Sequence, residues 1–215
     1  MFQPIYKFCG VHSAAGLQTA VTSQAAYIGF VMAESKRYVA PVTVKGWLEH
    51  YPELDKKVVF LFVNETLDLI KKAVETVRPD VIQLHGSETP EQAAAVKEAF
   101  PDIDLWKAVH HDSNSLLLLE QFLNNIDGFV IDAKAKHAWG GSGESFDWSH
   151  AGRYIEYGRR KGVPLFIAGG ITPDNVQELL NHKPWGIDLS SGLESSGEKD
   201  PEKVRQLEKR LCENE

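Results

Sequence analysis

Phe166-Ile167-Ala168-Gly169-Gly170-Ile171-Thr172-Pro173 is an apolar run that ends in two glycines and then a helix-start signal. Short continuous apolar runs mark strands covered on both faces. Paired glycines at a strand end let backbone N–H groups approach a ligand closely. Thr172 as N-cap and Pro173 at the first helical position predict a helix whose N-terminus aims at the same spot. Free N–H groups and the helix dipole there both favour an anion. A second turn of this kind follows at Ile187-Asp188-Leu189-Ser190-Ser191-Gly192. Two neighbouring strand-end turns late in an α/β chain are the pattern of a phosphate site on a barrel.

Working outward, strand and helix alternate strictly. Strands are predicted at 5–11, 27–32, 58–64, 80–86, 104–110, 128–133, 164–170 and 186–192, all short and rich in Val, Ile and Phe. Between them lie amphipathic segments at 14–23, 41–51, 65–77, 113–124, 147–160 and 173–181. Thr89-Pro90-Glu91-Gln92 is a capping box with proline at the first helical position. Asp200-Pro201 opens a last helix with Val204, Leu207 and Leu211 on one stripe. Parallel strands need helical crossovers, so eight such units predict an α/β fold, a single (β/α)8 TIM barrel. No composition break interrupts it, and residues 1–215 are expected to form one catalytic domain.

The chain has 215 residues, 43% hydrophobic and 25% charged, in the ordinary globular range. No apolar run approaches the roughly 20 residues of a membrane span. The start, Met1 to Lys7, lacks the pattern of a signal peptide. Cys9 and Cys212 stand at opposite ends and make no disulfide framework, which points to a reducing, cytoplasmic location. A net charge of −7 argues against a nucleic-acid surface but not against a small anion. His110-His111 has no metal-ligand companion at suitable spacing, so no metal site is expected.

Chemistry on a barrel sits at the C-terminal ends of the strands. The ends here carry Lys7-Phe8-Cys9-Gly10, Ser35-Lys36-Arg37-Tyr38, Gln83-Leu84-His85-Gly86, Lys107 to His110, Asp132, Gly169-Gly170 and Asp188-Leu189-Ser190-Ser191-Gly192. A long loop over 133–146 contains Gly140-Gly141-Ser142-Gly143 and reads as a lid. Together with Gly29-Phe30, Phe62-Val63-Asn64 and Phe146-Asp147-Trp148, this ordered set closely resembles phosphoribosylanthranilate isomerase, an enzyme family of tryptophan biosynthesis. The likeness covers essentially the whole chain. Segments 134–139 and 195–199 depart from the family pattern.

That resemblance implies a cofactor-free and metal-free aldose-to-ketose (Amadori) rearrangement of a small phosphorylated substrate, with no obligate protein partner. It assigns Cys9 as general base and Asp132 as general acid. Arg37 would face the anthranilate carboxylate, His85 would line the pocket, and Asp188 would contact the sugar or order the site. Gly169, Gly170, Ser190, Ser191 and Gly192 would hold the phosphate. Ring opening needs a proton on the furanose oxygen, and the resulting iminium acidifies the C2 proton for a thiolate to remove. An ordinary thiol, with a pKa of about 8.5, is only a few per cent thiolate at neutral pH. Strand alternation places Lys7 on the side of Cys9, where its charge favours thiolate.

Each residue has a plainer reading. Cys9 alone could be a small buried hydrophobe, and Asp132 could cap a turn. Arg37 follows Glu34-Ser35-Lys36, where a solvated charge run is usual, and Asp188 could simply tie two loops together. The alternative function is a barrel that binds a phosphorylated metabolite without turnover. The neighbouring synthase of the pathway would want a catalytic lysine, for which Lys107 is the candidate, and a strand-end glutamate, which is missing.

Overall fold

Eight short strands, each apolar nearly throughout, close on themselves: β1 (Ile5–Phe8), β2 (Tyr27–Val31), β3 (Lys57–Phe62), β4 (Val81–Leu84), β5 (Asp104–His110), β6 (Gly128–Asp132), β7 (Leu165–Ala168) and β8 (Gly186–Leu189). Neighbours in sequence are parallel neighbours in space, and β8 returns to pair with β1. The computed structural model describes residues 4–132 and 148–213. Around the barrel run α1 (Ala14–Thr22), α2 (Pro41–Leu48), α3 (Leu67–Thr76), α4 (Pro90–Ala99), α5 (Ser115–Phe122), α6 (Ala151–Lys161), α7 (Val176–Leu180) and α8 (Pro201–Cys212). The fold is therefore the expected (β/α)8 barrel. A two-stranded hairpin, β9 (Glu194–Ser195) and β10 (Glu198–Lys199), is added between β8 and α8.

Side-chain alternation sorts each strand into an outer and an inner face. Outer residues such as Phe8, Phe30, Phe60 and Leu84 pack against the helices in one large apolar cluster. Lys107 belongs to this outer layer. Its ammonium lies 2.9 Å from Glu88 and 5.6 Å from the ring of Phe122 on α5. It therefore serves the wall and not the barrel interior, which removes the lysine that the synthase reading required.

The inner face changes character along the barrel axis. A floor of Tyr27, Trp106 and Phe166 is packed ring on ring, with centroids 4.7–5.6 Å apart. Gly128 and Gly186 leave room for these rings; a Cβ there would fall 2.9 Å from Trp106 and 2.5 Å from Phe166. Above the floor sit buried polar residues, Lys7, Gln83 and Asp188, and above them the strand ends. Apolar contacts thus close one end and leave the other end polar and open.

Local signals explain most boundaries. Thr89 and Gln92 form the predicted reciprocal cap of α4, and Asp200 caps α8 through the Glu202 N–H. The strand predicted at 5–11 ends at Phe8, because Gly10 adopts a left-handed φ of +73° and turns the chain off the barrel. One expectation fails. The helix predicted to open at Thr172-Pro173 begins at Val176, three residues later. Asn175 is the reason: its Oδ1 accepts from the Thr172 N–H at 2.7 Å and its Nδ2 donates to the Gly170 carbonyl at 2.9 Å. These bonds stabilise a turn in place of the first helical coil.

Candidate active site

The open end of the barrel holds a cavity of about 700 Å³. Its wall takes Cys9 after β1, Arg37 after β2, His85 after β4, Asp132 from β6 and Asp188 from β8. The turns at Gly169-Gly170 and Ser190-Ser191-Gly192 line it too. Residues predicted from separate strand ends therefore face one space. Gly140, Gly141, Ser142 and Gly143 of the expected lid, with His137 and Trp139, lie outside the described residues.

Cys9 sits over a buried ion pair. Lys7 and Asp188 are register partners on β1 and β8, and their side chains meet at 2.8 Å inside the barrel. Lys7 needs the space left by Gly29, where a Cβ would come 3.2 Å from its Cε. Burial opposes charge on Lys7, but Asp188 and Cys9 outweigh it and lift the amine above the usual lysine range. Burial pushes Asp188 up, and Lys7 pulls it back. A direct ammonium–carboxylate contact at this distance favours the charged form of both partners and opposes the burial. Burial likewise raises the Cys9 thiol, while Lys7 and Lys199 lower it. The expected help from Lys7 is present, then, but burial exceeds it.

Arg37 leaves the charge run that precedes it. Glu34, Ser35 and Lys36 are exposed, whereas Arg37 is 8% exposed and forked onto Glu194 through Nε at 2.9 Å and Nη2 at 2.8 Å. Its stem passes over Gly10, where a Cβ would lie only 2.5 Å from Arg37 Cδ. Burial would raise the Glu194 carboxyl, but Arg37 and Lys199 hold it down at about 2.

On the far wall, Gln83, His85 and Asp132 stand in line. Gln83 Nε2 lies 2.9 Å from His85 Nδ1, and His85 Nε2 lies 3.2 Å from Asp132 Oδ2. All three side chains are buried. His110, at the end of β5, meets the His85 ring edge-on with centroids 5.8 Å apart. With Nδ1 accepting from the Gln83 amide, a neutral His85 carries its proton on Nε2 and donates it to the Asp132 carboxylate.

The two glycine turns form the remaining wall. Gly169 and Gly170 have φ of +92° and +65°, a left-handed pair that side chains disfavour. Gly192 packs backbone to backbone on the first turn, since a Cβ there would fall 1.8 Å from the Ile171 carbonyl oxygen. Such closeness brings two sets of main-chain groups to one point, as an anion site requires. The turn after β8 continues as a short 3-10 segment, Ser191–Leu193. An anion at this wall would meet these turns, and not a long helix opening at Thr172.

A sequence profile described as N-(5'phosphoribosyl)anthranilate (PRA) isomerase matches residues 6–210. The chain is 48% identical over 204 residues to the N-(5'-phosphoribosyl)anthranilate isomerase of Geobacillus thermodenitrificans, covering 95% of this chain and 92% of that one. The chain belongs to the phosphoribosylanthranilate isomerase family. Its fold superposes on the phosphoribosyl anthranilate isomerase of Thermus thermophilus with a TM-score of 0.83 at 28% identity, over 98% of this chain and all of that one. It also matches a phosphoribosyl anthranilate isomerase solved with reduced 1-(o-carboxyphenylamino)-1-deoxyribulose 5-phosphate, with a TM-score of 0.76 at 28% identity, over 98% and 99% of the two chains.

Three residues around this isomerase-family site receive no role from the sequence. Gln83 stands inside an apolar strand, and a polar side chain on the inner face of a buried strand was the available signal. Glu194 and Lys199 carried none, because their partners Arg37 and Cys9 are more than 150 residues away.

Proposed function

We propose that this chain converts N-(5-phosphoribosyl)anthranilate into 1-(2-carboxyphenylamino)-1-deoxyribulose 5-phosphate, with Asp132 as general acid and Cys9 as general base. The supporting observation is that both residues line one cavity with Arg37 and the two glycine turns. Asp132 donates its proton to the furanose ring oxygen as the bond from that oxygen to C1 breaks. The nitrogen lone pair moves in to form the iminium. The Cys9 thiolate takes the proton from C2, leaving an enolamine. Tautomerisation then puts a proton on C1 and a carbonyl at C2.

His85 holds the Asp132 carboxylate in place, and Gln83 holds His85. Lys7 and Lys199 offset part of the cost of a buried thiolate. Arg37 suits the anthranilate carboxylate, and the turns at Gly169-Gly170 and Ser190-Ser191-Gly192 suit the phosphate at the other end of the substrate. Cys9 and Cys212 are both free thiols, in keeping with a reducing cytoplasm.

The test is turnover of freshly generated phosphoribosylanthranilate, followed by loss of anthranilate fluorescence, in wild type, Cys9→Ala and Asp132→Asn. Collapse of activity in both variants with unchanged circular dichroism is the expected result. Absence of wild-type turnover under conditions where a control isomerase works would reject the reading in favour of a metabolite-binding barrel.

A further inference from the structure

The hairpin β9–β10 contributes nothing to the cavity wall, yet its inner face grips three parts of the site from behind. Glu194 and Lys199 are direct cross-strand partners, so their side chains project to the same face. Lys199 is buried, and its ammonium donates to the Cys9 carbonyl at 2.7 Å, the Ser190 carbonyl at 3.0 Å and Glu194 Oε1 at 3.0 Å. Three protons thereby meet three acceptors, and the amine has no further bond to give. Glu194 uses both oxygens on the Arg37 fork. The strand end that carries the base, the turn that faces the phosphate and the arginine are therefore joined through two side chains.

The same hairpin is fastened from outside. Ser13 donates to Glu198 at 2.6 Å, and Lys203 donates to the Glu194 carbonyl at 2.6 Å. Its turn needs left-handed backbone at Ser196 and Gly197, with φ of +53° and +86°. Nothing in this arrangement presents Glu194 or Lys199 to a ligand, because neither lines the cavity. With Nε and Nη2 engaged, Arg37 keeps Nη1 without a hydrogen-bond partner among the described residues. An unrestrained arginine loses rotamer freedom on binding, and one already fixed by a fork does not.

We propose that Glu194 is a positioning residue for carboxylate recognition: it fixes Arg37 by one edge of the guanidinium and, through Lys199, registers it against Cys9 and Ser190. This rests on the isomerase reading given above. The predicted specificity element is thus a clasp behind the wall, and its effect passes through Arg37.

A double-mutant cycle tests it, using reduced 1-(o-carboxyphenylamino)-1-deoxyribulose 5-phosphate as the probe in calorimetry. Glu194→Gln is expected to weaken the probe by about tenfold, within the range for loss of a charged hydrogen-bonded contact. It should raise KM more than it lowers kcat. In an Arg37→Met background the same substitution should cause no further loss. Inhibition by inorganic phosphate, which has no anthranilate carboxylate, should change less than about twofold. Glu194→Asp keeps the charge one methylene short and provides the same cycle if Glu194→Gln does not fold.

Equal losses in both backgrounds would overturn the proposal, as would wild-type probe affinity in Glu194→Gln. Failure of the isomerase reading itself has a different signature, namely no turnover in the wild-type protein.

Discussion

Gly192→Ala is the sharpest perturbation of the proposed phosphate cradle. The new Cβ would lie 1.8 Å from the Ile171 carbonyl oxygen, 2.8 Å from the Ile171 carbonyl carbon and 3.2 Å from Thr172 Cγ2. Main-chain atoms cannot swing aside as a side chain can. Restoring an ordinary contact of 3.4 Å to the oxygen requires the two turns to part by about 1.6 Å. A displacement of about 1 Å in a positioned group commonly costs about a hundredfold in rate, equivalent to about 2.7 kcal/mol of transition-state stabilisation.

We therefore expect kcat/KM to fall by about two orders of magnitude, chiefly through KM. Inhibition by inorganic phosphate should weaken in parallel. Overpacking should also cost about 1–3 kcal/mol of stability, a fall of several degrees in Tm. Gly46→Ala is the control, because a Cβ at Gly46 on α2 meets nothing within 4 Å. The control should keep wild-type kinetics. Steady-state kinetics and phosphate inhibition on both variants decide the matter. A Gly192→Ala enzyme with wild-type KM and wild-type phosphate inhibition would refute the picture of two turns clamped on one anion.

Other expectations follow from the buried charges. Lys7→Met should raise the pKa of the Cys9 thiol, read from the pH dependence of iodoacetamide alkylation in a Cys212→Ser background, and an unchanged pKa would remove Lys7 from the account. Lys107→Met leaves Glu88 buried without its ammonium and should cost about 3–5 kcal/mol in urea unfolding, with kcat within about twofold of wild type; a large loss of kcat would return Lys107 to the site. Glu194 is held at about 2 against its ordinary 4.5, so its share of stability is complete above pH 4.5 and lost as the pH falls toward 2. The urea midpoint of wild type should therefore drop more steeply across that interval than that of Glu194→Gln, and parallel curves would count against the ion-pair assignment.

The barrel was legible because its determinants are local. Short strand runs of four to seven residues alternate with helices eight times, four of the helices start on a side-chain cap, and each signal is decided by near neighbours in sequence. Strand alternation even put Lys7 on the correct face beneath Cys9. It could not supply Asp188 as the partner, since that contact depends on β8 closing onto β1. Arg37 shows the same division: Glu34-Ser35-Lys36-Arg37 reads as a solvated run, and only the fork from Glu194 buries its last member.

The start of α7 was misread for a local reason. Thr172-Pro173 has the composition of a helix opening, but the Asn175 side chain competes for the same backbone groups and keeps them in a turn. Residues 195–199, which depart from the family pattern, belong with Glu194 to a hairpin. Ser196-Gly197 is a turn dipeptide that could have marked it, although the inward-facing Glu194–Lys199 pair had no counterpart in pattern.

The pairing of β1 with β8 has a consequence for how this protein matures on the ribosome. Lys7 and Cys9 are synthesised well before Asp188, Ser190 and Lys199, which surround them. Until the eighth strand emerges, the nascent chain holds a lysine and a thiol with neither their electrostatic partners nor the second glycine turn. Contacts of such sequence separation form late and slowly. Appearance of turnover should accordingly mark the moment the ring of strands seals, and a chain arrested before residue 186 should remain silent however much helix it has acquired.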